Sequence, residues 1–255
     1  MKKPYSALCL LALSAPLAAA PLSDRFREVK VRHCPSAQVC HTQEAAYPLS
    51  GHAALDRWAA GVLQQNINAR SLRPNALKAA LSQKTENDTS CEQTYVNEIK
   101  LLGQSNHYAV FGEEDWEYTC GAHGNGTYRL YVLPQSGAAQ ALPLAQIVLP
   151  GKMAELEKLQ LAAWRQYLTQ ASNFAPEGFT PAEIDAHLAQ WPVAGTHNWQ
   201  LAENGLVFLF QTYEIGPYAM GRPELRIGRE QLQGIIKPEI LRETATFRPS
   251  RHARD

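Results

Sequence analysis

Charged and apolar residues alternate from Phe26 to His33, which predicts a strand with one solvated face. The period then lengthens. Leu55, Trp58, Val62 and Leu63 recur at helical spacing between Gly51 and Asn68, and Leu77 and Leu81 do so again after Pro74. A β-rich stretch follows. Tyr95, Asn97, Ile99 and Leu101 share one face of a strand. A second strand covers Tyr108 to Thr119 and is expected to break near Gly112 and the acidic run Glu113-Glu114-Asp115. A third runs from Thr127 to Leu133. Helical periodicity returns from Lys152 to Ala171, with Leu156, Leu159, Ala163, Trp164, Tyr167 and Leu168 on its apolar face. Thr180-Pro-Ala-Glu183 carries a cap, a proline where no N–H is needed, and the acid of a capping box, so it marks a helix start. Asn198–Leu201 and Leu206–Tyr213 read as a hairpin across Glu203-Asn-Gly205, and the unbroken apolar run Leu206 to Phe210 places its second strand in the interior. A short helix is expected from Arg229 to Ile236 and a frayed tail from Thr246 to Asp255.

Strands and helices thus come in separate runs, without an internal repeat. That order predicts an α+β fold, an antiparallel sheet packed with helices, in two interlocked subdomains: residues 21–140 and 141–245, with 246–255 as a flexible tail.

The ends and the cysteines add a compartment. Met1-Lys2-Lys3, an apolar run to Leu17 and Ala18-Ala19-Ala20 form the three parts of a secretory signal peptide over residues 1–20, shorter than the ~20 apolar residues of a membrane span. Pro21 is awkward after a cleavage site, and an uncleaved anchor is the competing reading. The whole chain has 24 basic and 24 acidic residues. Removing Lys2 and Lys3 leaves 22 against 24, a formal charge of −2, with no basic run to meet a nucleic acid. No membrane span is expected after signal removal, and the protein is expected in the periplasm or outside the cell. Cys34, Cys40, Cys91 and Cys120 remain, an even number that suits disulfides in an exported chain and allows three connectivities. A local Cys34–Cys40 bridge is the simplest choice, leaving Cys91 with Cys120. His33 and His41 beside the first pair raise a metal site instead, but the C-x5-C spacing is not that of a zinc knuckle.

Three stretches carry a resemblance: Glu117-Tyr-Thr-Cys-Gly-Ala-His-Gly124, Leu142-Pro-Leu-Ala-Gln-Ile-Val148, and Leu206-Val-Phe-Leu-Phe-Gln-Thr-Tyr-Glu-Ile-Gly-Pro-Tyr-Ala-Met-Gly221. In order and separation they resemble the extracytoplasmic domain family of the lysozyme-binding anti-sigma factor RsiV, shared with the non-catalytic N-terminal region of the peptidoglycan deacetylase PdaC. The resemblance implies a free-standing extracytoplasmic module whose ligand is a lysozyme-type protein or a cell-wall glycan such as peptidoglycan. The sigma-binding segment and the esterase domain have no counterpart in this sequence. Where the family's motif usually has glycine this chain has Cys120, which suggests an added disulfide with Cys91.

The chemistry-bearing residues are few. Glu113, Glu114 and Asp115 offer carboxylates for glycoside cleavage, against the plainer reading of a solvated loop. His123 is a candidate base, against a turn histidine bonding backbone. No H-E-x-x-H, G-x-S-x-G or phosphate-loop pattern appears, so no catalytic residue, metal or cofactor is assigned. Trp116 is a surface candidate for stacking. Tyr213-Glu-Ile-Gly-Pro-Tyr218 ends an apolar strand in a bent loop with two aromatic rings and a carboxylate, a composition suited to recognition. The ligand-binding candidates are therefore Trp116, His123, Tyr213, Glu214 and Tyr218. A peptidoglycan-acting hydrolase or esterase using His123 and nearby carboxylates is the alternative.

Overall fold

The structure is a computed structural model that describes residues 21–36, 39–71, 91–170 and 175–251; the signal segment and the helix expected after Pro74 lie outside them. The fold is α+β, with an antiparallel-dominated main sheet. Strands β1 (Phe26–Ser36), β2 (Val39–Pro48), β3 (Cys91–Gln104), β4 (Tyr108–Tyr118) and β5 (Asn125–Pro134) lie side by side in chain order. Their pairs are antiparallel except β2 with β3, which run parallel around helix α1 (Ala53–Ser71). Strand β2 escapes the pattern reading because Thr42-Gln-Glu-Ala45 alternates weakly. The strand ends at Pro48.

Helix α1 covers one face of the main sheet. Leu55, Ala59 and Leu63 pack on Ile99, Leu101, Ala109, Phe111 and Leu133, and Trp58 meets Tyr131 edge-on with centroids 5.0 Å apart. Full burial of each leucine side chain contributes roughly 1.5–3 kcal/mol. The opposite face joins a larger core with α2 (Leu144–Ile147), α3 (Met153–Leu168), α4 (Pro181–Gln190) and a three-stranded antiparallel sheet of β6 (Trp199–Ala202), β7 (Gly205–Leu209) and β8 (Glu224–Gly228). Strand β7 is central and buried throughout, as its apolar run requires. On α3, Leu156, Trp164 and Leu168 are buried, and Gln160 fixes the connection before β6: Thr196 N donates to its Oε1 at 2.7 Å and its Nε2 donates to the Thr196 carbonyl at 3.2 Å. The capping box on α4 forms with both bonds in place.

Two side-chain amides join the halves. Asn198 accepts from Leu130 N (2.7 Å) and donates to the Tyr128 carbonyl (2.8 Å), while Gln211 accepts from Tyr128 N (2.8 Å) and donates to the same carbonyl (2.7 Å). The outer edge of β5 is thereby closed by carboxamides in place of a further strand, which removes an open edge.

Three expectations are corrected. The acidic run does not interrupt β4: Glu113 faces α1 with 1% exposure, held by Asn66, Tyr131 and Arg129. Residues 229–236 are turns rather than a helix: Gly234 sits at φ +73°, outside the right-handed helical region, and Ile236 bridges Val148. The helix instead forms just after this segment: α5 (Pro238–Thr244) starts with a proline at its first position. Residues 246–250 are not a loose tail: Phe247 is buried, β9 (Arg248–Pro249) pairs with β3, and Ser250 Oγ donates to Leu101 O at 2.5 Å. Cys34 and Cys40 form a disulfide with Cα atoms 4.1 Å apart, closing the β1–β2 turn. Cys120 is also disulfide-bonded.

Candidate recognition site at the β4–β5 turn

Two chain segments meet at one end of the main sheet. The first is the β4–β5 connection, residues 119–124. The second is the loop that leaves β7, fixed to β5 by Gln211. Just beyond Gln211 the chain turns sharply: Glu214 N donates to Gln211 O (3.1 Å), and Gln211 N donates to the Glu214 carboxylate (2.6 Å). Tyr213, inside this turn, adopts φ +66°, a left-handed conformation that costs a non-glycine residue roughly 1–2 kcal/mol. Pro217 then leads into a single 3₁₀ turn, Tyr218–Met220, which ends at Gly221 with φ +69°.

These bends bring three expected residues together. The His123 and Tyr218 rings stack at 3.9 Å and 22°, and Tyr213 lies 5.6 Å from Tyr218. The Gly124 carbonyl accepts from both His123 Nδ1 (2.8 Å) and the Tyr218 hydroxyl (3.0 Å). A carbonyl only accepts, so the neutral imidazole carries its proton on Nδ1, and its Nε2 accepts from the Tyr213 hydroxyl at 3.2 Å. His123 is exposed, Tyr213 is 46% exposed and Tyr218 36%.

The other two candidates have different places. Trp116 is half-buried beneath the turn, so close to Gly124 that a Cβ there would run into its indole ring. It supports the platform rather than offering a free face. Glu214 is exposed and closes its own turn through the Gln211 amide. Gly216 does not have a positive φ; a side chain there would instead meet Met220 Sδ, so its role is close packing. The left-handed positions are Tyr213, Gly221 and Cys120 (φ +70°), the last a conformation that glycine adopts at no steric cost.

Sequence reasoning missed the ion pair beside the platform. Arg222 donates to both Glu114 oxygens, at 2.8 and 2.7 Å, and its guanidinium lies 5.6 Å from the Tyr128 ring centroid. The bidentate carboxylate raises the Arg222 pKa further. Burial, and then the Glu114 charge, pushes the Tyr128 hydroxyl up to about 12. The signal was the fork-shaped side chain directly after Gly221, at the end of the most distinctive motif. Among the described residues no group of three or more His, Cys, Asp or Glu is placed to hold a metal, and no helix is long and apolar enough to cross a membrane.

The architecture is a two-sheet α+β module with an aromatic platform at one end of the larger sheet. Residues 146–230 match the family model described as "Protein of unknown function (DUF3298)", so a DUF3298 domain is present over the second half of the chain. Two solved structures share the fold. A DUF3298 family protein from Pseudomonas aeruginosa PAO1 superposes with a TM-score of 0.62 at 18% identity, covering 87% of this chain and 97% of that one. A DUF3298 family member from Bacteroides fragilis gives 0.62 at 18% identity, covering 88% and 97%. No curated protein matches the sequence.

Proposed function

We propose that this chain is an exported, non-enzymatic binding module of the cell envelope that recognises its ligand through the His123–Tyr213–Tyr218 platform. The observation that carries the reading is the convergence of three exposed rings from segments ninety residues apart, held by hydrogen bonds and a left-handed tyrosine. Pre-ordered aromatic rings with polar tips bind partners at low entropic cost. The disulfide is compatible with export, and the signal-like N-terminus supports it. A second bridge, Cys91–Cys120, is part of this reading: the β3–β4 ladder pairs Thr94 with Tyr118 and, continued, sets Cys91 level with residue 121.

The resemblance to the RsiV extracytoplasmic family favours a lysozyme-type protein as the ligand, with a cell-wall glycan second. The alternative, hydrolysis or deacetylation using His123, is disfavoured by the neighbouring carboxylates. Glu113 is taken by Asn66, Tyr131 and Arg129, Glu114 by Arg222, and Glu214 by its turn. The test is to incubate purified mature protein with peptidoglycan. The binding reading expects neither soluble fragments nor acetate. Release of either, abolished by His123→Ala, would establish the enzyme instead.

A further inference from the structure

The platform shows a ligand only part of its chemistry. Its polar tips pair with one another and with the backbone: His123 Nδ1 and the Tyr218 hydroxyl both donate to the Gly124 carbonyl, and the Tyr213 hydroxyl donates to His123 Nε2. A neutral imidazole and a phenol each have one proton to give, so all three donors are spent. The Gly124 carbonyl has two lone pairs and accepts two bonds, so it is filled as well. What stays open is exposed ring surface, together with the two hydroxyl oxygens, which can now only accept.

Charge points the same way. Residues 119–126 contain no Lys, Arg, Asp or Glu, and residues 211–221 contain a single one of these, Glu214. Glu214 is exposed; its Oε2 accepts from Gln211 N, and no cation pairs with it among the described residues. Arg222, next along the chain, holds both oxygens of Glu114 and so brings no free positive charge. The face of a tyrosine ring carries negative potential and attracts a cation placed within about 6 Å of its centroid. Tyr213 and Tyr218, 5.6 Å apart with planes 43° from parallel, offer such faces beside an uncompensated carboxylate. An anion, by contrast, meets no free donor among the three rings and no unpaired cation in either segment.

From this arrangement we infer that the platform takes a cationic side chain, a guanidinium or ammonium on the surface of a basic protein, laid on the tyrosine rings with Glu214 as its countercharge. The inference rests on the reading of the platform as a recognition site and narrows its ligand to positively charged protein surface. A neutral glycan fits less well, because its hydroxyls would find acceptors here but no ring donor to accept from.

The experiment titrates the mature protein with N-acetyl-arginine methylamide and follows chemical shifts at His123, Tyr213 and Tyr218. Saturable shifts are expected. The citrulline analogue, of the same shape and with N–H donors but no charge, should bind about fivefold more weakly. Added salt should weaken the arginine probe and spare the citrulline one. Glu214→Gln should weaken the arginine probe about threefold with an unchanged thermal melt, since the amide oxygen still accepts from Gln211 N. Equal affinity for the arginine and citrulline probes on the wild-type protein would overturn the inference, and that comparison needs no variant to fold. So would the absence of arginine shifts at these rings. Shifts there with chitotriose in place of arginine would overturn the cationic ligand while keeping the platform as a binding site, which separates this failure from that of the platform itself.

Discussion

Glu113 gives the sharpest test of how the main sheet is built. Its carboxylate is 1% exposed; Tyr131 Oη donates to it at 2.5 Å, Arg129 at 3.2 Å, and the Asn66 amide also donates. Glu113→Ala removes the acceptor and strands two donors against an apolar surround of Phe111 and Trp58. Hydrogen bonds to a carboxylate contribute about 1.5–3 kcal/mol each. The Arg129 side chain is 45% exposed and can rehydrate, so it adds little. Two lost bonds and the unfilled volume give a destabilisation of about 3–5 kcal/mol. Glu113→Gln keeps the shape but turns one acceptor into a donor facing other donors, and should cost about 1–2 kcal/mol. Urea unfolding at pH 7, with unchanged m-values, measures both. A solvated acidic loop would lose no more than about 0.5 kcal/mol in either variant. A loss that small for Glu113→Ala would refute the buried-carboxylate account.

Other consequences follow at the platform and beneath it. Tyr213→Asn relieves a left-handed conformation that asparagine tolerates, while losing the contact to His123; thermal melts should stay within about 1 kcal/mol of wild type, and a loss above about 3 kcal/mol would contradict the argument. The Tyr128 hydroxyl is pushed up to about 12 from the usual 10, so the folded state holds its proton when the unfolded state has lost it. That contribution is fully present below pH 10 and is lost as pH rises to 12, by roughly 2.7 kcal/mol for two pKa units. Tyr128→Phe should flatten this part of the alkaline decline in urea melts, leaving a remainder from Tyr131, whose pKa burial and Glu113 also raise.

How far the sequence spoke depended on whether a signal was local. The apolar run of β7, the capping box at Thr180 and the hairpin at Asn204 are short-range patterns, and all three form. The same holds for the pairing of Cys34 with Cys40. Signals that depend on a partner strand were lost. Strand β2 needs β1 and β3 beside it, β9 needs β3, and the buried place of Glu113 becomes visible only when Tyr131 and Asn66 arrive from elsewhere. At the site, His123, Tyr213 and Tyr218 were legible as residue types, but their contact was not, since ninety residues separate them. Trp116 read as a surface ring because its indole is covered by Gly124, a residue with no side chain to announce the contact. Arg222 and Gln211 escaped notice for a similar reason: each acts through a strand distant in sequence.

The central claim is that the aromatic platform binds a partner and does no chemistry. The most direct measurement is calorimetric titration of the oxidised mature protein with lysozyme, and in a parallel arm with solubilised peptidoglycan, for wild type and Tyr218→Ala. The account predicts saturable binding of one of the two, weakened at least about tenfold by Tyr218→Ala with the melting temperature little changed, as expected for truncating an aromatic anchor. Absence of heat with both ligands, or binding that Tyr218→Ala leaves untouched, would contradict it.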